Sequence, residues 1–401
     1  MGNVARRMST GMQGTPAVHL PEEIITNILL RLPAKSVLRS GAVCKAWHRI
    51  TTDPRFLADH ARLRPAEVVL YTYLDVTPFR SRRPAIEVAL DTLPVSSDEA
   101  GRRRLIRYPK TYSYLMLASC NGVLLFKKGE LSHLLCNPVT RRWAEFRRPA
   151  QERHTIYVRE YAFYFHQPSG EYRLLCCRSS DTSDKWYILS TGAAEPRQIT
   201  AFNVEAAGIT ELLLTTPWAL HGHLHWPPRR ASAGTGDTSE MVVFDTVSET
   251  FRRMAGPPTS TPRLVKLFDM EGLLVAADLG KMARIDLWFL TDYDAGRWEL
   301  QHQVAAPWQS GPNSDMPVLN HPSCLLSVAS MSDDEGNVIL GNHYCLVVYN
   351  VRRKTVRTVS SVATRTNNVL MSRHVFRESL VQHPSFSARS AADLGLIHFW
   401  R

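Results

Sequence analysis

Apolar residues between Leu20 and Leu32 recur at steps of three and four, which is the spacing of one face of an α-helix. Pro21 suits a first helical turn, where its missing N–H is not needed, and the acidic residues at 22 and 23 favour the positive end of the helix dipole. The stripe consists of Ile24, Ile25, Ile28, Leu29 and Leu32. Because Pro33 interrupts the run, we expect a helix of about three turns.

Two shorter helical segments follow this stripe. Residues 36–42 favour a short helix, and the next segment repeats the helical spacing at Val43, Trp47 and Ile50. The pair Asp53–Pro54 predicts the end of that segment. The sequence therefore predicts three helices before residue 58.

So small a helical unit carries more apolar surface than it can hide. A unit of about 40 residues rarely folds stably without a disulfide, a metal or a partner. It contains one cysteine, Cys44, so a protein partner is the remaining option. The order and spacing of the following positions resemble an F-box: Leu20-Pro21, Leu32-Pro33, Ser36-Val37-Leu38, Val43-Cys44-Lys45, Trp47, Asp53-Pro54 and Phe56.

The resemblance implies a three-helix F-box over residues 19–58 that binds the Skp adaptor and, through it, the cullin and RING subunits of a ubiquitin ligase. The positions that match the adaptor-binding residues of the family are Leu20, Pro21, Ile24, Ile25, Ile28, Leu32, Pro33, Leu38, Val43, Cys44 and Trp47. The alternative is a helical cap on the following domain. We expect residues 1–18 to be a disordered tail, and residues 59–66 to be a polar linker without a packed seam.

Beyond residue 66, short apolar runs bounded by Gly, Pro, Asn and Asp replace the helical spacing, which is typical of an all-β domain. Four stretches share one pattern, in which an apolar run ends in Asp or Asn and a large residue follows six positions later. The pairs are Asn137 with Trp143, Asp245 with Phe251, Asp292 with Trp298, and Asn350 with Val356. A degenerate fifth copy has Ser190 at the same place.

These anchors lie 47 to 58 residues apart, a period typical of propeller blades. A four-stranded blade cannot bury both faces alone, and stacking blades in a ring covers them. We expect the anchor to bend the chain between the third and fourth strands of a blade, and the large residue to pack between blades. Strands at Val68–Leu74, Ile86–Leu90 and Val375–Val381 would complete a sixth blade that is split between the two ends of the domain.

The repeats resemble the kelch-like F-box-associated domain that is frequent in plant F-box proteins. The likeness is carried by Asn121-Gly122, Cys136-Asn137-Pro138, Arg142-Trp143, and Gly222 with His225-Trp226. It implies a β-propeller-type domain of about six blades over residues 67–383, followed by a C-terminal tail at 384–401. The predicted fold is a short helical F-box followed by a large all-β propeller-like repeat domain.

Composition agrees with a globular chain, since 44% of the residues are hydrophobic and 9% aromatic. No apolar run reaches 18 residues and the first residues lack the apolar core of a signal peptide, so we expect a cytoplasmic or nuclear protein without a membrane partner. Seven cysteines include no C-x-x-C pair. We expect them to be reduced core residues, with Cys176 and Cys177 on opposite faces of a strand.

The net charge of +11 raises the question of nucleic acid. Residues 1–65 hold ten Lys or Arg against four Asp or Glu, so more than half of that charge lies in and before the docking segment. Three arginine clusters are expected in solvated turns or tails: Arg102-Arg103-Arg104, Arg141-Arg142 and Arg229-Arg230. This distribution argues against specific nucleic-acid recognition.

Two further patterns superficially suggest metal binding. His221, His223 and His225 share one face of a strand, but no fourth ligand is marked by spacing, so we expect structural histidines. The stretch 333–337 lacks the acidic spacing of a calcium loop and predicts a hairpin tip. Since the sequence also contains no phosphate-binding loop or nucleophile elbow, we assign no catalytic, metal-binding or cofactor-binding residue.

We therefore expect a non-catalytic substrate-recognition subunit of a Skp–cullin–F-box ubiquitin ligase, in which the propeller binds the protein to be ubiquitinated. It would act by proximity, holding substrate lysines near a ubiquitin-loaded enzyme. The alternatives are a propeller that binds a small molecule or carbohydrate or acts as an enzyme, and a nucleic-acid binder.

Overall fold

The computed structural model describes the chain in sixteen stretches, and the statements below concern these residues alone. The stretches are 20–77, 85–94, 101–110, 114–129, 132–146, 157–179, 184–199, 216–230, 239–259, 262–281, 284–305, 331–332, 335–341, 346–359, 369–387 and 398–399. The predicted tail at 1–18 lies outside them. Within them, no helix has both the length and the apolar character needed to cross a membrane.

Four helices open the described chain. They are α1 (Glu22–Arg31), α2 (Ala34–Ser40), α3 (Lys45–Thr52) and α4 (Pro54–Arg62). The Asp53–Pro54 pair ends α3, as predicted, but it also begins α4, which the sequence analysis missed. The Asp53 carboxylate accepts hydrogen bonds from the backbone N–H groups of Arg55 and Phe56, and Pro54 occupies the first helical position. An aspartate cap followed by proline is a strong helix start.

Six antiparallel sheets follow the helices, which confirms the predicted all-β propeller and its six blades. We number the blades in chain order. The strands of blade 1 are β1 (Ala66–Asp75), β2 (Ile86–Pro94) and β3 (Arg103–Pro109). Those of blade 2 are β4 (Tyr114–Cys120), β5 (Val123–Lys128), β6 (Ser132–Asn137) and β7 (Arg142–Phe146). Those of blade 3 are β8 (Tyr157–His166), β9 (Glu171–Ser179), β10 (Asp184–Ser190) and β11 (Arg197–Ile199).

The remaining blades repeat the plan. Blade 4 contains β12 (Trp218–Leu220), β13 (His223–His225), β14 (Arg229–Arg230), β15 (Ser239–Asp245) and β16 (Phe251–Ala255). A short 3-10 helix (Pro262–Leu264) precedes blade 5, which contains β17 (Val265–Met270), β18 (Leu273–Asp278), β19 (Arg284–Asp292) and β20 (Arg297–Ala305). Blade 6 contains β21 (Met331–Ser332), β22 (Asn337–Gly341), β23 (Leu346–Asn350) and β24 (Thr355–Val359).

The two ends of the domain meet in blade 1. Strand β25 (Val369–Arg377) pairs with β1, with Val68 opposite Val375, and β26 (His398–Phe399) pairs with the outer edge of β3. The predicted split blade is thus confirmed. The predicted closing strand, Val375–Val381, was placed too late in the chain. The observed strand begins at Val369, and the chain leaves the sheet after Arg377.

Six apolar clusters fill the spaces between successive blades and form the core of the ring. Each cluster takes residues from two neighbouring sheets, so every blade is covered on both faces. Cys176 packs in the cluster between blades 2 and 3, and Cys177 in the cluster between blades 3 and 4. The prediction that these neighbours point to opposite faces is confirmed.

The predicted anchors bend the chain as expected. The Asn137 side-chain oxygen accepts hydrogen bonds from the N–H groups of residues 139 and 140, and Asp245 does the same for residues 247 and 248. The residue four positions after each anchor has a positive φ in blades 2, 4, 5 and 6: Arg141, Glu249, Gly296 and Lys354. Trp143 and Trp298 are buried between blades, but Val356 is exposed, so the expectation that it packs there is wrong.

Closure of blade 1 leads to a prediction about truncation. Deleting residues 369–401 removes β25, which leaves β1 unpaired on one side and exposes the clusters on both faces of blade 1. We expect the truncated protein to lose cooperative thermal melting, measured by circular dichroism. Deleting only residues 388–401 is the control, because β26, with its two-residue pairing, is the one element of that segment that the structure describes, and the melting temperature should stay nearly unchanged. A 1–368 chain that melts cooperatively at the parent temperature would contradict the prediction.

Candidate docking surface

Exposed apolar side chains concentrate on the helical segment. Twelve large apolar side chains of the described residues are exposed, and five of them lie between residues 20 and 43. These five, which we call the docking patch, are Leu20, Ile24, Ile28, Leu38 and Val43, with 46–66% of each exposed. Singly exposed apolar residues are ordinary, whereas a group of them within one small unit marks an interaction site.

The remaining predicted adaptor-binding residues divide into two groups. Pro21, Pro33 and Cys44 are exposed alongside the docking patch. Ile25, Leu32 and Trp47 are half-buried and pack against a helical core, whose buried members on α1, α2, α3 and α4 are Leu29, Ala34, Val37, Ile50, Phe56 and Leu57. The stripe on α1 therefore serves two surfaces, an inner one that holds the helices together and an outer one that faces solvent.

The segment predicted as a polar linker is packed against the helices. The buried ring of His60 donates through Nε2 to the Leu32 carbonyl at 2.8 Å. Arg64 donates to the carbonyls of Leu30 and Leu32 at 2.7 and 2.8 Å. The last carbonyls of a helix need donors, and these two side chains supply them to α1. The expectation of a linker without a packed seam is therefore wrong.

The propeller contributes to the same seam through residues 378–387, which we call the strap. Leu380 of the strap is buried in the helical core, with Val381 and Val139 packed beside it. The Asn137 amide donates to the Ser379 carbonyl at 3.0 Å, which joins the strap to the anchor turn of blade 2. Arg377, the last residue of β25, donates to the Arg62 carbonyl at 3.1 Å. The helices are thus held on the propeller by the end of β25, by the strap and by the anchor turn of blade 2.

The arginines at 102–104 are part of blade 1 rather than solvated, so that expectation is wrong. Arg102 and Arg104 both pair with the buried carboxylate of Asp91. Arg103 pairs with Glu67 and with the buried Glu378 of the strap. Buried carboxylates require counter-charges, and this cluster provides them.

The other two arginine clusters have different positions. Arg141 lies in the anchor turn of blade 2, as expected for a turn, and Arg142 begins β7. Arg229 and Arg230 form β14, so the expectation of a turn or tail is wrong for them.

The seam lies on one face of the ring. In each complete blade the turn between strands 1 and 2 and the turn between strands 3 and 4 lie at the same end, because the strands alternate in direction. The strap contacts both kinds of turn in blade 2, at Gly122 and at Asn137. The strand ends that lead to the turns between strands 2 and 3, and to the connections between blades, lie at the opposite face.

Two of the three histidines at 221, 223 and 225 have ring hydrogen bonds within the protein. His225 is fully buried, donates through Nδ1 to the Trp218 carbonyl at 3.2 Å, and accepts at Nε2 from the Tyr293 hydroxyl at 2.8 Å. Burial lowers the pKa of His225 to about 4. The His223 ring donates to the His221 carbonyl at 2.9 Å. Across the described stretches, no three His, Cys, Asp or Glu residues are grouped as metal ligands.

The acidic stretch near 335 is a hairpin, as predicted, because β21 and β22 pair with Ser332 opposite Val338. Asp333 and Asp334 themselves lie outside the described residues.

The sequence analysis missed Glu378 and Leu380, since nothing in a predicted closing strand signals that its last residues leave the sheet. Two adjacent apolar residues, Leu380 and Val381, were the one available hint.

Comparisons with known proteins agree with this architecture. Residues 91–383 match the sequence family described as the F-box associated beta propeller domain, and residues 17–62 match the F-box-like family. F-box protein At5g49610 of Arabidopsis thaliana is 22% identical over 90% of this chain and 97% of its own length. Putative F-box protein At1g47730 of the same plant is 23% identical over 74% of each chain. F-box protein At1g48060, also of that plant, is 27% identical, and the chain spans about half of it, 47%.

The seam predicts an unequal response of two glycines. Gly122 and Gly272 both have φ of +79° in equivalent turns, so alanine at either costs about 1–2 kcal/mol. A Cβ at Gly122 would lie 2.5 Å from the Ser379 Cβ, whereas one at Gly272 meets nothing within 4 Å. We expect Gly122→Ala to destabilise the protein by about 1–3 kcal/mol more than Gly272→Ala, through overpacking. Urea unfolding of both variants tests this, and equal losses would show that the strap does not press on this turn.

Burial of His225 predicts a loss of stability in acid. Its pKa is about 4 in the folded protein and about 6.5 in the unfolded chain, so the unfolded chain binds a proton first as the pH falls. His225 should therefore remove about 3 kcal/mol of unfolding free energy between pH 7 and pH 4. His225→Gln should flatten that pH dependence, whatever its stability at pH 7. His48→Gln, at an exposed site on α3, is the matched control, and parallel pH profiles for all three proteins would contradict the assignment.

Proposed function

Because the chain belongs to the F-box associated beta propeller domain family and begins with an F-box-like segment, we propose that it is a substrate-recognition subunit of a Skp–cullin–F-box ubiquitin ligase. The observation that carries the proposal is the docking patch, which is exposed on helices whose other side is already filled. An apolar surface of this kind is suited to a permanent partner. The Skp adaptor is the partner that an F-box implies.

The proposed adaptor-binding surface consists of the docking patch with Pro21, Pro33 and Cys44. Ile25, Leu32 and Trp47 would support it from beneath, because they are half-buried between the patch and the helical core. Interfaces of this type take most of their affinity from a few apolar anchors that become fully buried. The adaptor would link the chain to the cullin and RING subunits.

The proposed role of the propeller is to hold a protein substrate, without catalysis by this chain. Proximity alone raises the effective concentration of substrate lysines near the ubiquitin-loaded enzyme. The helices and the strap occupy one face of the ring at blades 1 and 2. We therefore place substrate binding on the opposite face, where strand 2 of each blade ends and strand 3 begins. We place the protein in the cytoplasm or the nucleus.

Binding to a recombinant plant Skp adaptor tests the proposal. We expect replacement of Ile24, Ile28, Leu38 and Val43 together by serine to lower the affinity at least about 100-fold, because each is an exposed anchor. The melting temperature of the propeller should change little, since none of the four belongs to a cluster between blades. Calorimetric titration and differential scanning calorimetry measure the two effects.

The matched control replaces Val247, Leu273 and Leu300 by serine, because they are exposed apolar residues of blades 4 and 5. This variant should bind the adaptor as the parent does. If the fourfold variant bound the adaptor with unchanged affinity, the F-box assignment would fail. If it instead unfolded the propeller, a helical cap would be the better description of these helices.

A further inference from the structure

The strap crosses from the closing blade to three other parts of the molecule. It begins where β25 ends, contacts the helices at residue 380, and meets blade 3 where the His383 ring approaches the Tyr172 hydroxyl at 3.1 Å. It ends beside β7, where Ser387 and Trp143 exchange two backbone hydrogen bonds of 3.0 and 2.9 Å. Its ten residues thus touch the helices and blades 1, 2 and 3.

Four of the ten strap residues are buried, although the segment lies outside the sheets. Three consecutive residues at its start, Glu378, Ser379 and Leu380, have at most 9% of their surface exposed. Phe386 near its end is buried in the cluster between blades 2 and 3. Irregular segments normally run over the surface, because their polar backbone groups need partners. Here the Asn137 side chain and the Trp143 backbone supply such partners.

The helices depend on the strap for most of their apolar contact with the propeller. The helical core includes three residues from the propeller, Val139, Leu380 and Val381, and two of these belong to the strap. The covalent connection is only the three-residue stretch 63–65 between α4 and β1. Units that are joined by a short connection with a small interface normally move relative to each other.

We propose that the strap fixes the orientation of the helical unit on the propeller, with Leu380 as the positioning residue. Leu380 is buried in the helical core, to which all four helices contribute, while its neighbours Glu378 and Ser379 are held by Arg103 and Asn137. Ring closure and helix orientation are therefore set by one continuous piece of chain. The consequence for ubiquitin transfer rests on the proposed function, because a fixed orientation holds the substrate at a constant distance from the adaptor.

A distance measurement between the two units tests the proposal directly. Spin labels are placed on Cys44, which is exposed on the helical unit, and on Glu299→Cys, which is exposed on β20. Cys120, Cys324 and Cys345 are replaced by alanine in the full-length chain to avoid other labels. Pulsed electron paramagnetic resonance should give a narrow distribution of the distance between the two spin labels in the protein with Leu380 intact. In Leu380→Ala we expect the width of the distribution to grow about twofold or more, as for two loosely joined units.

Two matched variants separate positioning from general loss of packing. Leu380→Met conserves the side-chain volume and should restore the narrow distribution. Phe386→Ala removes a strap residue that is buried between blades 2 and 3 and does not belong to the helical core. It should leave the distance distribution narrow. If Leu380→Ala does not fold, Val381→Ser is measured instead, because its half-buried side chain contacts the same helical core. A distribution that stays narrow in the folded variant, or is already broad in the parent, overturns the proposal.

Adaptor binding distinguishes this inference from the proposed function. Unlabelled Leu380→Ala should bind the recombinant Skp adaptor with the affinity of the parent, because the docking patch is untouched. If the parent itself does not bind the adaptor, the proposed function fails, while the distance distributions still decide the role of the strap. If Leu380→Ala alone loses adaptor binding, Leu380 maintains the shape of the helical unit, and its assignment as a positioning residue is overturned.

Discussion

The structure depends on one constraint, which is that a single blade has two apolar faces and cannot bury both by itself. The six clusters between blades meet this constraint only because the ring closes, and it closes because β25 returns from the end of the domain to pair with β1. Every other blade contains strands that are adjacent in sequence, so blade 1 is where a local defect would expose the faces of a whole sheet. The ion pair of Arg103 with Glu67 and that of Arg104 with Asp91 lie in this same blade. The buried carboxylates at the point of closure therefore have counter-charges.

Closure also explains where the helical unit sits. The chain enters the propeller through β1 and leaves it through β25, and the two strands are antiparallel neighbours, so entry and exit lie at the same end of one sheet. The helices before β1 and the strap after β25 must therefore meet. A unit of about 40 residues is too small to bury its own apolar surface, and Leu380 gives it an extra core residue from outside its own sequence. What remains uncovered is the outer side of α1 and α2, where the docking patch lies.

The sequence predicted those features whose cause is local. An Asp or Asn anchor hydrogen-bonds to the backbone two or three residues later, so each anchor turn can be recognised from a few neighbouring positions, and the spacing between the anchors then reveals the blades. It could not predict Arg103, because its partner Glu378 lies 275 residues away and nothing near either residue marks the pair. The start of α4 has a local signal in Asp53–Pro54, but the same pair also ends α3, and the sequence analysis assigned it only that role. Candidate adaptor-binding positions could be named from their resemblance to a family, but their division into exposed and half-buried residues required the packed structure.

The loops on the two faces of the ring differ in how far their sequences can change, because only one face carries the helices and the strap. On the face that carries the helices, Gly122 and Asn137 are held by the strap, so a change in either turn would disturb the seam. The turn of blade 5 that is equivalent to the Gly122 turn is more open, since a Cβ at Gly272 would meet nothing within 4 Å. The opposite face bears neither helices nor strap in the described chain, and its loops join strands whose registers are already set by the sheets. Loops supported by a rigid scaffold can change without cost to the fold. The propeller thus combines an attachment for the helices at blades 1 and 2 with an opposite face whose loops are free to diverge in sequence.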